Sequence, residues 1–500
     1  MTLLLGLDLG TSSAKATLFD ADAGQTIATA AREYPISKPA PDRAEQNPDH
    51  WWQAAVAITR AVTSQTGRRN VAAISFSGQM HGTVLLNAAG APVHPAIIWA
   101  DQRTATTCPQ LINALGPAQY ADLTGTLPAT GFFGATLLWL AQHQPELLAQ
   151  TWQAILPKDY LRYKMTGEAA TDISDAAGTG IFDIRRQSWA EPILSAVGLP
   201  VDILPPVLAS TAVAGGLTAA AAEELGLPAG IPVVAGCADQ PAQAIGNGLI
   251  EPGQTSVTTG SGGQVFTPVR PGSVQPDPRL HVFNHAAPEM WYVLGAILSA
   301  GLSLRWLRGI TGLASTDNAY AILSAEAAQT PPGANGLIFL PHLSGERTPH
   351  MDPLARGGFI GLTHYHSRGH LARAVMEGVA MTLRQALDLT LALGGTTSQI
   401  IAAGGGAESD VWRQIQADVF GLPLRQSLLK EQAGIGAALL AGVGAGVYPN
   451  LAEACQQVVQ HGPVTEPDPA AHTRYTELYQ RFEQLYPRLR NDFHWLGKLE

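Results

Sequence analysis

The chain has 500 residues, 46% hydrophobic and 14% charged, the balance of a well-packed soluble protein and not of a disordered one. That length exceeds what a single hydrophobic core supports, so more than one domain is expected. A net charge of −10 argues against nucleic acid or an anionic membrane as the main partner, while leaving room for a local pocket that takes a small anion. Cys108, Cys237 and Cys455 are far apart and form no Cys-x-x-Cys pair, which argues against a disulfide framework or a zinc site and fits a reducing cytoplasm. The N-terminus has neither the basic start nor the long apolar centre of a signal peptide.

In chain order, residues 3–7 and 14–19 are apolar runs joined by the turn-prone GTSS, which predicts two strands around a tight turn. A helix is predicted over 49–63, with Asp49 able to cap it and Trp52, Val56, Ile58 and Val62 on its apolar face. VAAISFSG (71–78) and PAIIWAD (95–101) read as buried strands ending in polar loops, and further helices fit 136–150, 216–226, 369–392 and 408–419. QTSVTTGSGGQVF (254–266) repeats the strand–turn–strand pattern of the N-terminus and suggests two related halves. Pro- and Gly-rich stretches at 267–278, 331–336 and 462–469 mark loops. AGIGAALLAGVGAGV (433–447) is short of the roughly 20 residues of a membrane span and reads as a helix packed closely on another element. Tyr475, Leu478, Tyr479, Phe482, Leu485, Tyr486 and Leu489 recur at helical spacing, which predicts a C-terminal helix docked on the body.

Four stretches could carry chemistry. GLDLGTSSAK (6–15) combines a turn of backbone N–H groups and hydroxyls, suited to phosphate, with Asp8, which suits it only if a divalent cation lies between them. An ordinary hairpin with an Asx-type turn is the competing reading. Asp239 follows the strand-like IPVVAG and precedes a helix start, where a carboxylate is either an N-cap or a poised acid/base. Gly404, Gly405 and Gly406 lie between a strand and a helix, where bare backbone admits a flat or anionic ligand. GQMHG (78–82), WADQR (99–103) and SGERTPH (344–350) lie at strand ends or in loops. There, Met80 and His81 could meet a polyol, or His81 could bond a backbone carbonyl, and Arg347 could brace its loop. No Gly-x-Ser-x-Gly elbow or His-Glu-x-x-His is present, so the pattern fits phosphoryl transfer better than hydrolysis or zinc chemistry.

Taken together these stretches resemble the FGGY carbohydrate kinases from about residue 3 to about residue 490. The family's second signature is matched by GGFIGLTHYHSRGHLARAVME (357–377), and further agreement lies in DRAEQNPDHWWQA, GQMHG, LPKDYLRYKMTGEAATDISDAAGT and LSGERTPHMDP. The resemblance implies an α/β fold of two ribonuclease-H-like (actin-like ATPase) domains facing across a catalytic cleft. The N-terminal domain, 1–245, would carry the sugar site and first phosphate loop, and the C-terminal domain, 246–500, the second phosphate loop and adenosine site. By this resemblance Asp8 would hold the magnesium of the nucleotide through water, with Asp239 a second candidate for the metal. Gly10, Thr11, Ser12 and Lys15 would surround the phosphates, with Thr259, Gly260 and Ser261 as the second loop and Gly301 lining the nucleotide site. Gly404, Gly405 and Gly406 would meet the adenosine. Met80, His81 and Asp239, with Asp101 as a weaker candidate, would hold the sugar, and Asp239 would be the general base.

The implied reaction is phosphorylation of D-xylulose by magnesium-ATP to D-xylulose 5-phosphate in the cytoplasm. Sugar and ATP are the implied partners, without nucleic acid or membrane, and a homodimer is allowed. Departures from the family pattern are Thr136 for a lysine, Ala100 for an asparagine, TTGSGG in the second phosphate loop, and Arg305 where a glutamine is frequent. The competing readings are an FGGY kinase for ribulose, gluconate, glycerol or a deoxy-sugar, or a non-catalytic sensor on the same fold.

Overall fold

The structure is a computed structural model and describes residues 1–68 and 70–499. The chain divides into two compact units. The first comprises Met1–Ile250, Val282–Trp291 and Leu429–Val459; the second comprises Glu251–His281, Tyr292–Leu428 and the chain from Gln460 onward. No helix among the described residues is long and apolar enough to cross a membrane.

The sheet of the first unit is built from β1 (Leu3–Leu9), β2 (Ser13–Asp20), β3 (Gln25–Glu33), β4 (Val71–Gly78), β5 (Val213–Gly216), β6 (Pro232–Val234) and β7 (Cys237–Ala238). The order is β5-β6-β4-β1-β2-β3, with β7 also paired to β4. β1 to β3 form an antiparallel meander, whereas β4 runs parallel to β1, and β6 and β7 run parallel to β4. Alternation decides which layer each residue meets. Leu3, Leu5, Leu7 and Leu9 share a core with Trp51, Ile58 and Val62 of the helix Pro48–Thr66, whereas Leu4 shares one with Ile245, Ile435 and Leu439. The last three lie on the helices Asp239–Gly246 and Gln432–Gly444.

The glycine-rich helix Gln432–Gly444 does lie close on its neighbours, within its own unit. A Cβ on Gly436 would stand 2.0 Å from the Ala242 carbonyl oxygen, and one on Gly6 would stand 2.0 Å from that of Gly434.

The second unit repeats the theme. β8 (Gly253–Thr259) and β9 (Gly263–Val269) are antiparallel, and β10 (Trp291–Ile297), β11 (Thr397–Ala403), β12 (Leu424–Ser427) and β13 (His461–Thr465) extend the sheet. These six strands run in the order β10-β9-β8-β11-β12-β13, with β11 parallel to β8 and β12. The helix Arg368–Ala392 is buried along most of its length. The C-terminal helix Pro469–Leu496 docks through Tyr475, Tyr479, Phe482 and Tyr486 at the predicted spacing.

Several local expectations change. The first helix is capped by Asn47, whose side chain accepts from the Asp49 N–H, so Asp49 lies inside the first turn. The helix expected over 136–150 is two, Phe133–His143 and Pro145–Ala149, because Pro145 cannot continue the first. The strand expected over 95–101 is only Ala96–Ile97.

Candidate active site

In the first unit, three parallel strands end side by side and carry the acidic candidates. β4 lies between β1 and β7, with Asp8 in register with Ser77, Cys237 also opposite Ser77, and Ala238 opposite Gly78. Asp8 therefore stands near the end of one strand, and Asp239 immediately past another two strand spacings away, about 10 Å between backbones. Ser77 donates its hydroxyl to Asp8 Oδ1 at 2.8 Å.

Asp239 is the first residue of its helix. Ala238 occupies the cap position, and no side chain makes a capping bond there. Of the two sequence readings, the N-cap is thus absent. Burial, and after it the charge of Asp8, push the Asp239 carboxyl up to about 7. Burial also raises Asp8, outweighing the Ser77 hydroxyl and the Lys15 charge.

The rest of GLDLGTSSAK is a tight hairpin in which the Gly10 N–H donates to the Ser13 carbonyl at 3.0 Å. Tyr34 donates to the Gly10 carbonyl, Gln46 to the Thr11 carbonyl, and the Trp99 indole N–H to Thr11 Oγ1 at 2.8 Å. The Ser12 carbonyl accepts from the Tyr34 N–H. Lys15 forms an ion pair with Glu431 at 3.0 Å, so its charge is already partnered inside this unit.

His81 has a positive φ of 74°, a conformation that side chains rarely adopt outside strained or functional positions. Its Nδ1–H donates to the Gly178 carbonyl at 2.6 Å, and its ring stacks on Phe132 with centroids 4.0 Å apart. The carbonyl places the proton on Nδ1. Buried Met80 lies beside it: a Cβ on Gly178 would stand 2.8 Å from Met80 Cε and 3.3 Å from His81 Nδ1.

Asp101, the weaker sugar candidate, is tied into its own loop. It is fully buried, with Oδ1 accepting from the Arg103 N–H and Nε, and Oδ2 from Arg103 Nη2 and the Ala44 N–H. Both oxygens are thus engaged in holding the WADQR loop, and Asp101 is a brace for that loop. Arg347, by contrast, is pulled below the usual arginine range by burial, against the opposing charge of Glu346.

In the second unit, a cavity of about 700 Å³ brings together Thr259, Gly260, Ser261, Gly301, Gly405 and Gly406. The turn between β8 and β9 is tied to the next helix: the Gly260 carbonyl accepts from the Gly301 N–H at 2.8 Å, and the Ser261 carbonyl from those of Ala300 and Leu302. A Cβ on Gly301 would lie 2.5 Å from the Gly260 oxygen, and one on Gly406 would lie 2.5 Å from Thr259 Cγ2, whereas one on Gly405 would meet nothing within 4 Å. Gly404 does not line the cavity. Its φ of 77° makes the turn, beside the Thr259 carbonyl.

The sequence reading missed Leu304, Tyr320, Ser324 and Trp412 as cavity walls, because their helices converge only in the fold. Arg305, noted only as a departure, also lines it and reaches Ser261 Oγ at 3.4 Å. Among the described residues no group of three or more His, Cys, Asp or Glu side chains could hold a metal ion.

Two α/β units of this topology, one presenting strand-end carboxylates and one a glycine-lined cavity, have the actin-like ATPase fold. The N-terminal domain of the FGGY family of carbohydrate kinases matches residues 3–246, and the C-terminal domain matches residues 255–445. The chain belongs to the FGGY family and is an enzyme that phosphorylates a sugar. It is 37% identical to the xylulose kinase of Escherichia coli (strain K12) over 491 residues, covering 97% of this chain and 99% of that one. It is 35% identical to the xylulose kinase of Lactococcus lactis subsp. lactis over 500 residues, covering 99% of each. The crystal structure of a xyloylose kinase from Brucella ovis matches with a TM-score of 0.91 at 34% identity, covering 98% of this chain and 99% of that one.

Proposed function

We propose that the protein transfers the γ-phosphoryl group of ATP to the carbon-5 hydroxyl of D-xylulose, giving D-xylulose 5-phosphate and ADP. The observation that carries this is the Asp239 carboxyl, held near 7 at a strand end beside Asp8, in a chain similar to xylulose kinases over almost its whole length. A carboxylate raised in this way is suited to take a hydroxyl proton as the oxygen attacks phosphorus. The bond from the γ-phosphorus to the bridging oxygen breaks, and ADP leaves with its electron pair. The Nδ1 proton of His81 is committed to Gly178, which fixes the ring against the sugar, and Met80 offers an apolar surface beside it. Asp101 holds the neighbouring loop through Arg103 and the Ala44 N–H, and any part it takes in the sugar site is through that loop.

The nucleotide binds the second unit, its phosphates at Thr259, Gly260, Ser261 and Gly301 and its adenosine against Gly405 and Gly406, with Gly404 shaping that turn. Within the first unit, the hairpin turn of Gly10, Thr11 and Ser12 suits phosphate oxygens, and the Lys15–Glu431 pair frames that turn. Asp8, one carboxylate and no cage, suits a magnesium ion that arrives on phosphate oxygens and keeps several waters. Magnesium, when bound, neutralises charge on the transferred phosphoryl group. Along the sequence the sugar-binding part ends near residue 245 and the nucleotide-binding part starts at 246, with residues 282–291 and 429–459 of the latter packed into the first unit.

The deciding experiment is a coupled ADP-release assay over D-xylulose, D-ribulose, gluconate, glycerol and deoxy-sugars. The highest kcat/KM is expected for D-xylulose, and a preference for any other acceptor overturns the assignment.

A further inference from the structure

The motif LPKDYLRYKMTGEAATDISDAAGT, quoted above only as a likeness, folds into a fully buried charged cluster in the first unit. Lys158 Nζ lies 2.6 Å from Asp159, 2.8 Å from Asp172 Oδ1 and 3.3 Å from Asp175, and all four side chains are inaccessible to solvent. Burial alone would lower the Lys158 pKa, but these three carboxylates outweigh it and raise it. Buried ions of this kind contribute little net stability compared with an apolar core, so a different role is worth seeking.

The cluster ends at one short helix, Ile173–Ala177. Asp172 caps it: Oδ2 accepts from the Ser174 N–H at 2.9 Å, from the Ser174 hydroxyl at 2.6 Å and from the Ser210 hydroxyl at 2.7 Å. With its proton committed to Asp172, Ser174 Oγ accepts from the Ala238 N–H at 3.1 Å, one residue before Asp239. At the other end, the Gly178 carbonyl receives the Nδ1–H of His81.

We propose that this helix is a strut that sets the reactive geometry from both ends, with Lys158 and Asp172 fixing it, Ser174 positioning the Asp239 backbone and Gly178 positioning His81. The proposal rests on the reading of Asp239 as base and of His81 as a sugar contact. Neither Ser174 nor Gly178 meets the reacting atoms; both are positioning residues. Displacing a reacting group by about an ångström costs on the order of a hundredfold in rate, so a hydrogen bond one residue from the base is enough to matter.

Three variants of the full-length enzyme separate this role from ordinary core stability. Ser174→Ala removes the acceptor for Ala238 and is expected to lower kcat about ten- to a hundredfold with the D-xylulose KM within about twofold of wild type. Gly178→Ala keeps an ordinary backbone conformation but crowds Met80 and His81, and is expected to raise that KM more than it lowers kcat. Ser210→Ala removes a donor to the same Asp172 oxygen without touching Ala238, and is expected to match Ser174→Ala in lost thermal stability while keeping wild-type kcat.

Wild-type kcat in Ser174→Ala, or an equal kcat loss in Ser210→Ala, overturns the strut. Should Ser174→Ala not fold, an unchanged KM in Gly178→Ala overturns it. Asp239→Asn, measured alongside, isolates the underlying reading: wild-type kcat there removes the base and the strut's purpose with it. A loss there with none in Ser174→Ala overturns the strut alone.

Discussion

Asp239 and Asp8 interact across two strand spacings, and that interaction has a sign that kinetics can read. Burial and the Asp8 charge both disfavour the Asp239 carboxylate, so the base form is present above about 7 and lost as pH falls below it. kcat/KM is expected to fall on the acid side of a single apparent pKa near 7. Asp239→Asn should lower kcat by about 10²- to 10⁴-fold while D-xylulose still binds in calorimetry; wild-type turnover would exclude the base role. Asp8→Asn removes a negative charge that raises Asp239, so the acid limb of the residual activity should move to lower pH. It should also cut turnover at saturating magnesium more than it weakens sugar binding, and a limb that stays in place would show that the two carboxylates are uncoupled. At this scale the sequence was readable where chemistry is local: a carboxylate at a strand end, a Met-His pair in a loop, glycines before a helix. It was not readable where a partner decides the role. Arg103 is local to Asp101, but only the fold brings the Ala44 N–H onto Asp101 and Glu45 onto Arg103. Ser174 is likewise silent until Ala238, far along the chain, is brought onto its hydroxyl.

Among the elements, the helix Gln432–Gly444 was legible as a close-packed one because glycines and alanines make up most of it, leaving low faces beside Ile435, Leu439 and Leu440. Its target was not legible, since nothing local marks that residues 429–459 return to the first unit. A glycine-to-alanine change inside a helix ordinarily gains up to about 1 kcal/mol from propensity. At Gly436 the new Cβ would stand 2.0 Å from the Ala242 backbone oxygen, which no rotamer change relieves. Overpacking of that kind costs about 1–3 kcal/mol, so the steric effect outweighs the propensity gain. Gly436→Ala should therefore lower the urea midpoint of the first unit's transition, and an unchanged or raised midpoint would show that the two helices can part at little cost. Ala242 lies in the first turns of the helix that starts at Asp239, so a fall in kcat larger than the stability loss explains is expected with it. The capping error at Asn47 has a plain cause: two adjacent candidates flank Pro48, and proline at the first helical position moves the cap to the residue before it.

For the whole molecule, the echo between the two strand–turn–strand segments is the feature that sequence and fold share most directly. β1–β2 and β8–β9 are both antiparallel hairpins, and each has a parallel neighbour, β4 and β11, on the side of its first strand. The hairpins are spelled by local turn chemistry and alternation, and so could be read; the parallel partners depend on long crossovers, and could not. The same division has a functional consequence, because every wall of the glycine-lined cavity belongs to the second unit, whereas Met80, His81, Asp8 and Asp239 all belong to the first. Binary binding of nucleotide and of sugar should then fail separately. Gly301→Val places a branched side chain where even a Cβ would lie 2.5 Å from the Gly260 oxygen, which must displace the turn that carries Thr259, Gly260 and Ser261. Its affinity for a non-hydrolysable ATP analogue, measured by calorimetry without sugar, should fall by about tenfold or more, since a tenfold loss needs only about 1.4 kcal/mol. Its affinity for D-xylulose without nucleotide should stay within about twofold of wild type, because no residue proposed to touch the sugar is displaced. Parallel loss of both affinities would mean that the second unit contributes to the sugar site itself, and unchanged nucleotide affinity would mean that the cavity is not where ATP binds.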